Sequence, residues 1–233
     1  GKDSKTIADG GPDPYVYEVG NNLFISPLKP VGSWSFEEGG GTVAADSSGN
    51  NNNGTLYGNP TWTTGQVGGA LSFDGVNDYV GFGNVNFDYS EFTVELWTKS
   101  YSASQAHVTN LIGKGNWNQA NNWYLGYRDG SSLSFVYGVG WAYGPFYPIS
   151  SFNLTQWHHI VGVAGIDKLE LYLDGELVDS KTLTHGSVSN TYELQMARSS
   201  YYAEYFDGLI DEVRIYNRAL SAEEIKRHYE ESK

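Results

Sequence analysis

Two sets of side chains in this 233-residue sequence could do chemistry: aromatic rings set among amides in glycine-rich stretches, and carboxylates set among asparagines. The first set is Trp117, Trp123, Tyr124 and Tyr127, then Tyr137, Trp141, Tyr143, Phe146 and Tyr147, then Tyr201, Tyr202 and Tyr205. Sugars present C–H faces that stack on such rings, while Asn, Asp, Gln and Arg side chains bind their hydroxyls. Asn116-Trp117-Asn118-Gln119-Ala120-Asn121-Asn122-Trp123 places amides directly between two tryptophans, and Arg198 with Tyr201 and Tyr202 makes a second patch. The expected carbohydrate-contacting residues are therefore Trp117, Asn118, Trp123, Tyr127, Trp141, Tyr143, Arg198, Tyr201 and Tyr202. For Trp123 and Tyr127 a rival reading stands beside this one: with Leu125 they line one face of a strand and fill a core. Exposed tyrosine and tryptophan equally anchor protein interfaces.

The second set is Glu37 and Glu38, then Asp46, then the run Asn50-Asn51-Asn52-Asn53. Calcium takes about six to eight oxygens from carboxylates, amides and backbone carbonyls, and a Gly/Asn-rich loop can wrap to supply them. Glu37 and Asp46 are thus candidate calcium ligands. The same residues are also ordinary turn formers, and Asp46 alone could close an Asx-turn. Acid catalysis of glycoside hydrolysis needs two carboxyls on one face at a set separation. The adjacent Asp211 and Glu212 are expected to point to opposite sides of a strand and do not meet that need. His158 and His159 are likewise neighbours facing opposite ways, and read as structural. There is no Gly-x-Ser-x-Gly elbow and no phosphate-cradling glycine loop.

The elements that must position these groups repeat with period two. Phe92, Val94 and Leu96 alternate with Thr93, Glu95 and Trp97, and Leu169, Leu171 and Leu173 with Glu170, Tyr172 and Asp174, as strands do. Asp74-Gly75, Asp129-Gly130, Asp174-Gly175 and Asp207-Gly208 supply positive-φ positions for tight reversals, with Asp174-Gly175 set as a hairpin. Many short strands with glycine-rich turns make an all-β sandwich of two antiparallel sheets. One helix is expected, at the end: Ser221 and Glu224 form a capping box, with Ile225 and Tyr229 at helical spacing and Lys226, Arg227 and His228 toward its negative end.

In order along the chain stand Trp34-Ser35-Phe36-Glu37-Glu38-Gly39, Asp46-Ser47-Ser48-Gly49-Asn50, Asn53-Gly54-Thr55-Leu56, Gly69-Ala70-Leu71-Ser72-Phe73-Asp74-Gly75 and Asp78-Tyr79-Val80. Phe92-Thr93-Val94-Glu95-Leu96-Trp97, Trp157-His158-His159-Ile160-Val161, Leu171-Tyr172-Leu173-Asp174-Gly175 and the closing Phe206 to Ser221 block follow. This series resembles the laminin-G-like (LamG, concanavalin A-like) jelly-roll domains. The resemblance implies a jelly-roll sandwich over residues 31–233, with residues 1–30 an N-terminal extension or linker remnant. It also implies a carbohydrate- or protein-binding module, extracellular or on the cell surface and possibly tethered to other domains. By the same resemblance a structural calcium lies where the Asp46 loop meets the last strand, adding Asp211 to Glu37 and Asp46 as a metal ligand. Trp34, Trp97 and Trp157 fall in its strand blocks and are expected in the core. The acid-bearing strands of laminarinase-like relatives and the arginine, glutamine-histidine and tyrosine-lysine strands of alginate-lyase-like ones are missing. A non-catalytic module is the expectation, with a protein-adhesion module as its rival and a hydrolase or lyase behind both.

Charge bounds the partners. With 27 acidic against 14 basic residues the chain carries a formal net charge of -13, which disfavours nucleic acid and anionic membranes and suits neutral or weakly charged polysaccharide. There is no cysteine, so disulfides, thiolate metal sites and cysteine nucleophiles are excluded. No apolar run reaches the roughly 20 residues of a bilayer-spanning helix.

Overall fold

The computed structural model describes residues 16–19, 22–25, 29–85, 90–103, 108–115, 122–138, 144–182, 190–199 and 204–233. Alternating apolar residues build two large antiparallel sheets. The front sheet runs, edge to edge, through Phe146–Pro148, Ser132–Tyr137, Trp123–Arg128, Val108–Lys114, Leu194–Met196, Tyr79–Gly81, Gly54–Tyr57 and Val43–Ala44. The back sheet runs through Glu176–Thr182, Lys168–Leu173, His158–Ala164, Phe92–Ser100, Asp207–Tyr216, Gly69–Asp74 and Thr61–Thr64, with Gly32–Trp34 pairing the far half of Asp207–Tyr216. The all-β sandwich expected from the periodicity is the fold observed.

The inner faces interlock because large and small residues oppose one another. Phe92 of the back sheet lies 5.1 Å from Trp123 and 5.8 Å from Phe135 of the front sheet, centroid to centroid. Gly162 leaves the room that Phe135 occupies, since a Cβ there would come within 2.5 Å of its ring. Trp34, Leu96, Leu125, Leu133, Ile160, Leu171, Val213 and Ile215 complete this core, each contributing roughly 1.5–3 kcal/mol by leaving water. Trp34 and Trp97 are buried as expected, whereas Trp157 is only half-buried. The Asp174-Gly175 hairpin forms with φ of 52° and 81°, the pair of positive values a type I′ turn requires. Within residues 1–30, Val16–Val19 and Asn22–Ile25 pair as a separate antiparallel ribbon.

The terminal helix, Ala222–Ser232, is closed by the expected capping box: Glu224 N donates to Ser221 Oγ and Ser221 N to the Glu224 carboxylate. Lys226, Arg227 and His228 fall mid-helix, so the last turn holds no basic residue. The helix covers the outer face of the back sheet, where Ile225 joins Val161, Val163, Tyr172, Tyr216 and Leu220 in a second apolar cluster. Beside that cluster the helix closes over a charged group. Glu95 is fully buried, accepting bonds from Arg214 Nη1 (3.2 Å), Tyr216 Oη (3.2 Å) and His228 Nδ1 (2.9 Å). Trp97 stacks on Tyr229 and donates Nε1 to Ser232 Oγ at 3.0 Å.

A tyrosine and arginine ladder as the candidate binding site

The outer face of the front sheet is set by register. Leu56 and Val80 are paired and buried in the core, so their neighbours Tyr57 and Tyr79, also paired, project from the opposite face. Their rings stack with centroids 4.7 Å apart and planes 10° from parallel. Tyr57 stands at the outside of the pair, 43% exposed. On the other flank of Tyr79 comes Leu194–Met196, which pairs Tyr79–Gly81, and then the small hairpin Arg198–Ser199 with Glu204–Tyr205. Arg198 places its guanidinium 4.7 Å from the centre of the Tyr79 ring and 5.7 Å from that of Tyr205. Tyr57, Tyr79, Arg198 and Tyr205 thus form a ladder across the strands, held by stacking and cation–π attraction.

Next to the ladder the floor is flat. Gly81 lies beside Tyr57 and Glu193, and a Cβ there would meet the Glu193 carboxylate at 2.5 Å and the Tyr57 ring at 3.2 Å. Glu193 itself accepts from Gln195 Nε2 at 2.6 Å and from Gly83 N at 3.4 Å. Arg198 Nε is enclosed and has no hydrogen-bond partner among the described residues.

Of the residues expected to contact sugar, only Arg198 stands at this face among those described, and its aromatic partners there are Tyr79 and Tyr205. Trp123 and Tyr127 are corrected: each is 1% exposed and belongs to the core, where neither ring can meet a ligand. The strand's alternation, with Leu125 on the same face, decided their direction over the polar sequence preceding them. Trp117, Asn118, Trp141, Tyr143, Tyr201 and Tyr202 lie outside the described residues. Tyr57, Tyr79 and Glu193 are absent from the sequence-derived set, and Tyr205 belongs to the wider group of aromatic candidates but not to the expected contacts. The signal for the first two was available, since each adjoins a core residue in a short strand.

The expected calcium set does not assemble. Among the described residues no three His, Cys, Asp or Glu side chains form a group that could hold a metal. Asp46 already serves its own loop: Oδ1 accepts from Ser33 N and Ser48 N, and Oδ2 from Ser48 Oγ and Asn52 N. Burial alone would raise its carboxyl, but these bonds outweigh it and hold the group below its ordinary value. Glu37 and Asp211 brace a different segment, the Gly65–Gly69 turn, accepting from Gly69 N and Val67 N respectively. Glu37, Asp46 and Asp211 therefore do not fit calcium as one set.

Asp211 is fully buried with Oδ1 unpartnered, and burial pushes its carboxyl up to about 7. A folded value above the unfolded one favours folding at low pH, and that contribution is lost as pH rises through about 7. Asp211→Asn, which keeps an acceptor for Val67 N, is expected to stabilise the protein at pH 8 by roughly 1–2 kcal/mol and far less at pH 5. Thermal melts in chelator at the two pH values check this. A variant no more stable than wild type at pH 8 contradicts it, and calcium raising the melting temperature of wild type but not of the variant would place a cation at Asp211.

The opposite-face expectation for Asp211 and Glu212 also needs correction. Asp211 pairs with Trp97 and Arg214 with Glu95, so three steps on one strand match two on the other, and Glu212 takes a φ of 49°. This bulge breaks strict alternation, and the Glu212 carboxylate turns to Arg214, on the same face as Asp211.

Residues 74–226, more than half of the chain, match Laminin_G_3. The chain belongs to the concanavalin A-like lectin/glucanases superfamily. No curated protein matches it. Among solved structures, domain 4 of AbnA, an extracellular arabinanase from Geobacillus stearothermophilus solved with arabinotriose, is 22% identical with a TM-score of 0.65, over 85% of this chain and 97% of that one. The binding domain of Paraclostridial Mosquitocidal Protein 1 is 19% identical with a TM-score of 0.69, over 86% of this chain and 52% of that one. The receptor binding domain of botulinum neurotoxin D is 15% identical with a TM-score of 0.65, over 87% and 52%. The chain thus spans about half the length of these toxin domains. At such identities the likeness is one of fold.

Proposed function

We propose that this superfamily member is a non-catalytic glycan-binding module, with the Tyr57–Tyr79–Arg198–Tyr205 ladder as its binding face. The observation that carries the reading is the juxtaposition of a half-exposed, pre-stacked tyrosine pair with a guanidinium held against it by cation–π contact. The outward face of Tyr57 suits the C–H face of a sugar, and Arg198 suits its oxygens. Stacked rings lose little freedom on binding, which favours affinity. The likeness to an arabinanase domain solved with arabinotriose supports the reading and suggests a module joined to other domains of an extracellular or cell-surface protein.

Absence of catalysis is part of the proposal. Asp211 is fully buried and Glu212 is committed to Arg214, so neither acid is placed to act as the paired carboxyls of a glycosidase. Affinity gels cast with arabinan, xylan, β-glucan and polygalacturonate test the function. At least one polymer should retard the protein, and Tyr57→Ala should weaken that binding about tenfold, as loss of an aromatic anchor does. Retardation by none of a wide glycan panel contradicts the module and favours protein adhesion. Release of reducing ends or unsaturated products from a bound polymer points instead to an enzyme.

A further inference from the structure

Arg198 stands apart from the other arginines that make contacts. Arg128 meets Asp129, Arg214 meets Glu95 and Glu212, and Arg218 meets Glu224. Arg198 meets no carboxylate among the described residues, in a chain with 27 acidic side chains to choose from. Its guanidinium rests instead against two tyrosine rings, with Nε enclosed and unbonded. Ring faces attract the positive charge but accept none of its five N–H donors in the plane of the fork. The carboxylate on the floor beside the ladder, Glu193, is occupied by Gln195 and Gly83. The result is a cation fixed in place by its aromatic neighbours, with no carboxylate opposite its fork among the described residues.

We propose that Arg198 receives the carboxylate of an acidic sugar, so that the ladder selects glycans carrying uronic or sialic acid residues over neutral ones. The inference rests on the binding face proposed above and assigns its ligand class. A carboxylate is the group whose two oxygens match the guanidinium fork. A sugar hydroxyl would satisfy single N–H groups only. The protein's net charge of -13 opposes anionic ligands at long range, but that repulsion is screened beyond about 8 Å at physiological salt, whereas the contact with Arg198 is direct.

The test is calorimetric titration with polygalacturonate oligomers and with the same oligomers after carboxyl reduction, beside a sialylated oligosaccharide and its desialylated form. Wild type should bind one acidic member about tenfold or more tightly than its neutral counterpart, and the pair that shows the difference identifies uronate or sialate as the source. Arg198→Gln should bring the acidic ligand down to the level of the neutral one. Arg198→Lys, which keeps the charge without the fork, should recover only part of the preference and serves also if the glutamine variant misfolds. Equal binding of the acidic and neutral members of both pairs overturns this assignment while leaving the glycan-binding module standing. Binding of no glycan at all overturns both, and a preference that survives both substitutions overturns the role of Arg198.

Discussion

Glu95→Ala should destabilise the protein by about 3–5 kcal/mol, because removing one partner from a buried ion pair strands the other charges. Arg214 and His228 would be left facing an empty site beneath the helix, and Tyr216 would lose its acceptor. For a domain of this size that loss is a fall in melting temperature on the order of 10 °C. Trp97, stacked on Tyr229 and bonded to Ser232, gives a fluorescence signal for release of the helix. The same cluster sets an acid limit. Burial alone would raise the Glu95 carboxyl, but the His228 bond and the charges of His159, His228 and Arg214 outweigh it and bring it down to about 2. Burial lowers His159 to about 4. Both folded values lie below the unfolded ones, so both contributions are present at neutral pH and lost on acidification. That of His159 goes between about pH 6.5 and 4, and that of Glu95 between about 4.5 and 2. In an Asp211→Asn background, where the opposite trend of that carboxyl is absent, stability should therefore drop as pH falls from 6.5 to 4. A Glu95→Ala melting temperature within a few degrees of wild type, or a flat profile from pH 7 to 4 in that background, contradicts this account of the cluster.

Trp123→Ala should cost about 3–5 kcal/mol as well, for a different reason: it empties a large volume between the sheets. The ring is packed against Phe92 and is 1% exposed. At temperatures where the variant stays folded, its glycan affinity should match wild type, since the side chain is enclosed on the inner face. A variant that keeps its melting temperature but loses binding would return Trp123 to the surface and contradict the burial.

The contrast between Trp123 and Tyr79 shows where sequence reading succeeds and stops. Period-two alternation, the Asp174-Gly175 turn and the Ser221–Glu224 capping box depend on residues a few positions apart, and all were legible. The ladder depends on pairing between strands about 20 and about 115 residues apart, so Tyr57, Tyr79 and Arg198 gave no joint signal. Arg198 stood out by its own chemistry, but its aromatic partners were set by register. Glu95 read as one polar position in an alternating strand. Nothing local said that a helix more than a hundred residues later would bury it. Asp46, Glu37 and Asp211 looked like ion ligands because oxygen-rich loops serve cations and backbone N–H groups alike. Only the geometry shows Asp46 filled by its own loop.

The location of the binding face is open to an amide chemical-shift titration of isotope-labelled protein with the best-retained oligosaccharide. The largest shifts should fall on Tyr57, Tyr79, Gly81, Arg198 and Tyr205. Saturable shifts confined to the terminal helix or to the Asp129-Gly130 end of the sandwich, with these five unmoved, would contradict it.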